Sequence, residues 1–350
     1  MRWRVQVLTP TLVGDGQRLS PIDYMVWRDQ VNVLDQRRIF RLLARGPRLE
    51  GYLSQLRGAE KLDFASWGGF AQNFAGRRIP FEHSSLTAIW EKARPEELHI
   101  PTFCSGPAGP YLPASALKGA LRTAFAHQRF SPTAIRELAA RMQSERVRNL
   151  GAAVEGRLMG GSVSRTVESL ALSDSAPVAS SLFRIYLLRL AKLASSDRRQ
   201  DGKFYFAEMA PPGTQFSGTW NLPNRRSLRS LLDAANAWSA DLLAAHARFA
   251  EAAALPRLSS ALASLRTQLE TLHSSNACLL CIGFGGGFLS KAAYTDTDDP
   301  EYRKILGSLP YYQRSLRPNL PFPKTRKIVH LQGEPATLPG WVLLELLETS

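Results

Sequence analysis

Residues Arg2-Trp3-Arg4-Val5-Gln6-Val7-Leu8 alternate polar and apolar side chains, the period-2 pattern of a strand with one covered face. Thr9-Pro10 ends it and Gly14-Asp15-Gly16 marks a turn. A second short strand is expected over 22–27, after Ser20-Pro21. Asp35 stands where an N-cap would, ahead of a helix carrying Ile39, Leu42 and Leu43. From 46 to 105 the pattern breaks up among Gly and Pro. An irregular insertion is expected there, packed onto the body by Phe64, Trp67, Phe70 and Phe74. Helical spacing returns from Ser115 to about Phe130, with Leu117, Leu121, Ala124 and Gln128 on one side. A basic helix is expected near 132–149, bearing Arg136, Arg141, Arg146 and Arg148. Leu158-Met159-Gly160-Gly161 is a break and 170–175 the end of a strand. Further strands are expected over 204–209, 215–220, 327–331 and 341–347.

The clearest helical signal spans 228–275. Leu228, Leu231, Leu232, Ala235, Trp238, Leu242, Ala245 and Phe249 form one stripe; after Pro256, Leu258, Leu262, Leu265, Leu269 and Leu272 keep a 4-3-4-3 rhythm. Two heptads favour an intrachain helical hairpin over a zipper with a partner. No fixed-period repeat or low-complexity segment is visible.

Composition narrows the class. With 350 residues, 44% hydrophobic and 21% charged, the chain falls in the globular range and outside collagen-like, coiled-coil and disordered compositions. Apolar runs fall short of the roughly 18–20 residues of a bilayer span. The start lacks the sustained apolar region of a secretion signal. Three cysteines do not make a disulfide framework, so a cytoplasmic setting is expected. The 44 Lys+Arg against 30 Asp+Glu give +14. Residues 1–150 contribute 22 − 13 = +9 and residues 151–350 contribute 22 − 17 = +5. Only nine of the 44 basic residues are lysine. Arginine preference fits either an arginine-rich coding bias or the bidentate recognition of phosphate. The charge excess itself suits a polyanionic partner.

Two segments could serve such a partner. In the helix after Gly106–Pro113, Ser115 is expected as N-cap, leaving a positively polarised end fit for phosphate. Lys118, Arg122 and Arg129 follow at spacings of four and seven, and Gly119 leaves room for a backbone. The bland alternative is a surface helix with a solvated basic edge. The second segment is Gly283-Phe284-Gly285-Gly286-Gly287-Phe288-Leu289-Ser290-Lys291. Here Gly283, Gly285, Gly286 and Gly287 could turn amides toward an anion and Lys291 adds charge; a flexible turn is the alternative. It is not a nucleotide P-loop, because Ser290-Lys291 has the wrong order, and no βαβ unit makes it a dinucleotide fingerprint. Cys278 and Cys281 have CxxC spacing without a second pair, so buried apolar cysteines are expected and no metal site is assigned. Asp296, Asp298 and Asp299 lack the rest of a calcium loop and are expected in a solvated turn. No hydrolase nucleophile motif is present, and the first histidine is His83.

Several segments in order resemble one family. Thr9 to Gly16, Leu19-Ser20-Pro21-Ile22-Asp23-Tyr24, and Tyr111-Leu112-Pro113-Ala114-Ser115-Ala116-Leu117-Lys118-Gly119-Ala120-Leu121-Arg122 are similar to the RAMP proteins of CRISPR effector complexes. Ala114 and Ala116 stand where that pattern usually has Gly and Ser. Leu158-Met159-Gly160 with Leu172-Ser173-Asp174-Ser175, then Glu208 to Phe216, and the 283–287 loop resemble its later blocks. Chain length and the form of the second block are most similar to the subunit type that caps the backbone of type III-A (Csm) complexes.

The resemblance implies an α+β fold. Its core would be a ferredoxin-like, RRM-related antiparallel sheet with helices on one face, carrying helical insertions. The core would comprise 1–45, 106–225 and 278–350, with 46–105 an insertion and 226–277 a helical hairpin. It implies a non-catalytic subunit that binds CRISPR RNA (crRNA), meets target RNA indirectly, joins other Csm-type subunits, supports crRNA maturation in antiviral defence, and needs no cofactor or membrane. Asp23 falls where a related subunit carries an aspartate used in metal-dependent cutting. The alternative is therefore an endoribonuclease using Asp23 and Mg2+, against a plain turn-capping role for that residue.

Overall fold

The alternation at the start becomes strand Arg2–Val7, which buries Trp3, Val5 and Val7 and turns Arg2, Arg4 and Gln6 the other way. The computed structural model describes residues 1–44, 46, 49–58, 74–144, 169–193, 203–222, 226–273, 275–316 and 321–347. Arg2–Val7 is central in a five-stranded sheet ordered Ala277–Cys281, Trp341–Leu347, Arg2–Val7, Gln215–Asn221, Ala171–Leu172. Every neighbouring pair in it is antiparallel. The last four strands in that order, with helices Ala114–His127 and Arg226–Ala252 as crossings, reproduce the fourth-first-third-second arrangement of a ferredoxin-like βαββαβ unit. The fourth place is taken by the C-terminal strand, and Ala277–Cys281 is displaced to the edge.

Helix Ala114–His127 buries Ala114, Leu117, Ala120, Leu121, Ala124 and Phe125 against Arg226–Ala252 and strand Ala277–Cys281. Gln128 is exposed. The long stripe from Leu228 to Phe249 is buried throughout, as are Leu258, Leu262, Leu265, Leu269 and Leu272. Those leucines lie on and just past helix Pro256–Glu270, which packs back on Arg226–Ala252, so their rhythm serves an intrachain seam. Polar pins fix the hairpin to the sheet edge. Asn236 donates to Ala277 O at 3.3 Å and accepts from Leu279 N at 3.0 Å, while Ser239 Oγ donates to Leu279 O at 2.6 Å.

A second sheet, ordered Phe204–Met209, Arg184–Lys192, Thr325–Leu331, Glu334–Thr337, stacks beside the first. A bridge between Thr11 and Ala210 and a shared apolar core join the two. Buried Arg326 donates Nε to His246 Nδ1 at 3.0 Å and lies over the Phe249 ring at 4.7 Å, locking this sheet to the long helix.

The sequence pattern predicts irregular chain between 46 and 105, but the described residues there include ordered elements. They are helix Leu49–Gly58, strand Ala75–Pro80, helix Ser85–Lys92 and strand Ile100–Pro101. Ala75–Pro80 completes a three-stranded sheet with Gln30–Leu34 and Tyr24–Trp27. Its Arg77 forms a double-contact ion pair with fully buried Glu208 of the second sheet, one arm at 3.1 Å, which keys the two together. Gly58, Pro80 and Pro101 each stand at the end of one of these short elements. Phe74 packs with Met25, Leu34, Ile39, Leu43 and Tyr52, whereas Phe64, Trp67 and Phe70 lie outside the described residues. Arg146, Arg148 and 158–161 also lie outside them; the basic helix is described over Pro132–Ser144. Asp35 caps its helix by accepting from Arg38 N, but Leu42 is exposed beside buried Ile39 and Leu43. Asp299 proves to be a helix cap: Oδ1 accepts from Glu301 N and Tyr302 N, and Oδ2 from the Tyr294 hydroxyl.

Candidate nucleic-acid interface

Helix Ala114–His127 starts one residue earlier than its sequence suggests, and its cap is not Ser115. Pro113 occupies the N-cap position without a side-chain bond, and the Ala114 amide donates to Asp174 Oδ1 at 2.8 Å. The Ser173-Asp174-Ser175 segment is held there by Ser175, whose Oγ accepts from Leu112 N at 2.8 Å and whose amide donates to Leu112 O at 3.0 Å. A carboxylate thus already sits at the positive end of this helix. The expected phosphate site at the helix tip is corrected: what faces solvent is the side of the helix. Ser115, Lys118, Gly119 and Arg122 follow i, i+3, i+4, i+7 spacing, with Ser115, Gly119 and Arg122 exposed and Lys118 half-buried. A Cβ at Gly119 would meet nothing within 4 Å, so the row has an open gap between Lys118 and Arg122. Arg129 is exposed beyond the helix end, its guanidinium 5.6 Å from the Phe125 ring centre.

The glycine loop follows strand Ala277–Cys281, and three of its glycines are demanded by packing; a Cβ on Gly286 would lie 2.3 Å from Ser290 Oγ and 2.8 Å from Ser290 Cβ. A Cβ on Gly283, at φ +76°, would lie 2.1 Å from Leu12 O; one on Gly285, at φ +94°, would lie 2.5 Å from Pro339 Cγ. Phe284 N donates to Leu12 O at 2.7 Å. Beyond that anchor the amides of Gly285, Gly286 and Gly287 make no hydrogen bond within the described residues. Gly285 and Gly287 have left-handed φ and Gly286 between them does not, an alternation of the kind that can turn successive N–H groups toward an anion, but Gly286 itself is buried against Ser290. Gly287 and Lys291 are exposed.

These two segments lie side by side. The Gly283 position abuts Val13, whose carbonyl accepts from Cys104 N at 2.8 Å; Cys104 O accepts from Tyr111 N at 3.1 Å, three residues before the helix. At the other end, a His127 ring nitrogen lies 2.6 Å from Ala293 O. The turn Leu289–Lys291 also touches the helix. Lys327, which the sequence did not single out, joins them. Its ammonium lies 4.2 Å from the Phe284 ring centre and 4.9 Å from that of Tyr205, and burial pushes its pKa below the ordinary lysine value. Only the contact with Phe284 of the loop reveals it.

The remaining candidates behave differently. Asp23 lies apart from this face, at a turn: Oδ2 accepts from Ser20 N at 2.7 Å and Ser20 Oγ at 2.6 Å, and Oδ1 accepts from Gln36 Nε2 at 2.9 Å. Cys278 and Cys281 are buried on one strand and Cys104 lies elsewhere; all three are free. Burial raises both strand thiols, Cys281 to about 12, against a lowering by Lys291. Among the described residues no group of three or more His, Cys, Asp or Glu is placed to hold a metal ion. No helix among them is long and apolar enough to cross a membrane.

Sheet order and crossings define an RRM-related α+β protein with a basic helix face set against a glycine loop. The RAMP superfamily model matches residues 4–290, and the chain belongs to that superfamily. Two solved structures share its fold. One is a chain in the cryo-EM structure of a Csm–crRNA–target RNA ternary complex of a type III-A CRISPR–Cas system: TM-score 0.67, 20% identity, 99% of this chain and 100% of that one covered. The other is the crystal structure of T. onnurineus Csm5: TM-score 0.62, 16% identity, 97% and 99% covered. No curated protein matches.

Proposed function

We propose that the chain is a non-catalytic, crRNA-binding subunit of a type III-A effector ribonucleoprotein. It caps the subunit backbone near the crRNA 3′ end, supports crRNA maturation in antiviral defence, and meets target RNA only indirectly, alongside other Csm-type subunits. The observation that carries this is the outward row Ser115, Lys118, Gly119 and Arg122 on a helix that contacts the turn Leu289–Lys291, directly after a glycine loop whose Gly285 and Gly287 amides are unbonded among the described residues and whose Gly287 and Lys291 are exposed. Such a surface grips phosphates and sugar without reading base identity. Membership of the RAMP superfamily and the fold shared with a chain of a Csm–crRNA–target RNA complex support the assignment.

The second reading makes Asp23 the metal-binding carboxylate of an endoribonuclease. Three hydrogen bonds already occupy that carboxylate, two from Ser20 fixing its own turn and one from Gln36, which favours the capping role. The test is incubation of the purified chain with repeat RNA and guide-matched target RNA, with and without Mg2+. Intact RNA in all lanes, for the native chain and for Asp23→Asn alike, is expected. Mg2+-dependent cleavage lost in Asp23→Asn would establish the second reading.

A further inference from the structure

Tyr311 is the most exposed large hydrophobic side chain among the described residues, at 83%. It does not float free. Its ring meets Tyr312 edge-on at 5.0 Å; Tyr312 meets Phe288 at 5.2 Å and Phe322 at 5.8 Å; and Phe288 meets Phe322 at 5.1 Å. Phe288 directly follows Gly287 of the glycine loop. A run of ring contacts therefore leads from the loop to Tyr311, whose phenol is exposed among the described residues. Each contributing segment also brings a cation two or three residues further on: Lys291 after Phe288, Arg314 after Tyr311, Lys324 after Phe322. Lys291 and Arg314 are exposed and Lys324 is half-buried, and none of the three has an ion-pair partner within the described residues. An exposed ring buttressed by aromatics, on segments that each carry a cation without an ion-pair partner among the described residues, is the composition of a single-stranded nucleic-acid platform, where cations follow phosphates and the ring takes a base.

We infer that Tyr311 is a base-stacking site for one unpaired nucleotide of the RNA strand whose phosphates lie on the glycine loop; this rests on the RNA-binding reading above. Stacking needs no particular base, since every base has a π-face, and purines offer the larger one. The site supplies affinity without adding to the phosphate contacts.

The experiment measures binding of the purified full chain to labelled single-stranded RNA across a salt series, with native, Tyr311→Leu and Tyr311→Trp chains. Melting curves check that the exposed substitutions leave folding unchanged. Tyr311→Leu keeps apolar bulk but lacks a π-face and should weaken binding about tenfold, within the range of one stacked base. Its slope of log K against log salt should equal that of the native chain, and Tyr311→Trp should bind at least as tightly as native. Native affinity in Tyr311→Leu would overturn the stacking site while leaving the RNA-binding surface intact. So would a loss of co-purifying protein with RNA affinity unchanged, which would mark a protein contact. A flattened salt slope in Tyr311→Leu would also overturn it, showing a contact of phosphate type. Absence of RNA binding by the native chain would overturn both readings together.

Discussion

Removing Lys118 and Arg122 together tests the interface most directly. Neither ranks among the buried residues that hold the helix down, so Lys118→Ala/Arg122→Ala should leave the fold intact. If each side chain neutralises one phosphate, the variant makes two fewer such contacts. For single-stranded nucleic acid each lost contact flattens the slope of log K against log salt by about 0.7, so the double change should flatten it by about 1.4. Between about 50 and 200 mM salt, the native advantage over the variant should then shrink by about sevenfold, that is, four raised to 1.4. Fluorescence anisotropy of labelled RNA across that range reads this directly. Arg266→Ala is the control: its guanidinium pairs with Glu270 on the helical hairpin, 3.5 Å away, and its slope should be native. Parallel lines for the native and double-variant chains would refute the reasoning, because a mere distortion of the helix lowers affinity by a constant factor at every salt concentration.

Two further outcomes follow from packing and burial. Gly283→Ala must place a Cβ 2.1 Å from Leu12 O and hold φ at +76°, whereas Gly287→Ala meets nothing within 4 Å and carries only its φ of +73°. Left-handed strain of roughly 1–2 kcal/mol is common to both, and overpacking adds about 1–3 kcal/mol to Gly283→Ala alone; equal melting temperatures would contradict this. His246 is fully buried, and burial first, then the Arg326 charge, holds its pKa well below the usual 6.5. The unfolded chain therefore takes up a proton as pH falls below 6.5 while the folded one does not. The stability is complete above that pH and is lost below it, toward the folded pKa, at about 1.4 kcal/mol per pH unit. Thermal melts from pH 7.5 to 5.5 should show a shallower acid loss in His246→Gln than in the native chain, and parallel losses would show that His246 is not the group responsible.

Strong periodicity made much of this fold legible. Arg2–Val7 alternates because only one of its faces is deeply covered, and the Leu258–Leu272 rhythm is regular because both helices of the hairpin are packed along their length. The order of the 46–105 segment is hidden in the sequence because its strands are short and lean on partners far away in sequence; Arg77 finds Glu208 across 131 positions. Residue type alone marks Ser115 as a cap. The carboxylate that does the capping comes from Asp174, 60 residues on, and Pro113 carries no side-chain donor or acceptor to compete with it. Local pattern reveals which residue could cap a helix, but only tertiary structure decides which one arrives. Lys327 and Tyr311 were missed for the same reason: a lone Lys in a strand and a Tyr after Pro310 acquire meaning only beside Phe284 and Phe288.

The position of the glycine loop follows from the helical hairpin. Strand Gln215–Asn221 runs antiparallel to Arg2–Val7, and a single crossing helix would bring the next strand back in the same sense as Gln215–Asn221, as in a ferredoxin-like unit. Two helices reverse the chain once more. Ala277–Cys281 therefore runs parallel to Arg2–Val7, since both are antiparallel to Trp341–Leu347. It can no longer pair antiparallel with Arg2–Val7, so the C-terminal strand fills that place. Its outgoing end now lies at the same end of the sheet as the outgoing end of Arg2–Val7. That is why Gly283, two residues beyond one strand, can press on Leu12, five residues beyond the other. With one helix instead of two, the loop would leave from the opposite end of the sheet, away from Leu12 and Val13 and from the chain that leads through Cys104 and Tyr111 into helix Ala114–His127. The hairpin reads as an accessory packed on the core, yet its even number of passes brings the loop and the basic helix face together.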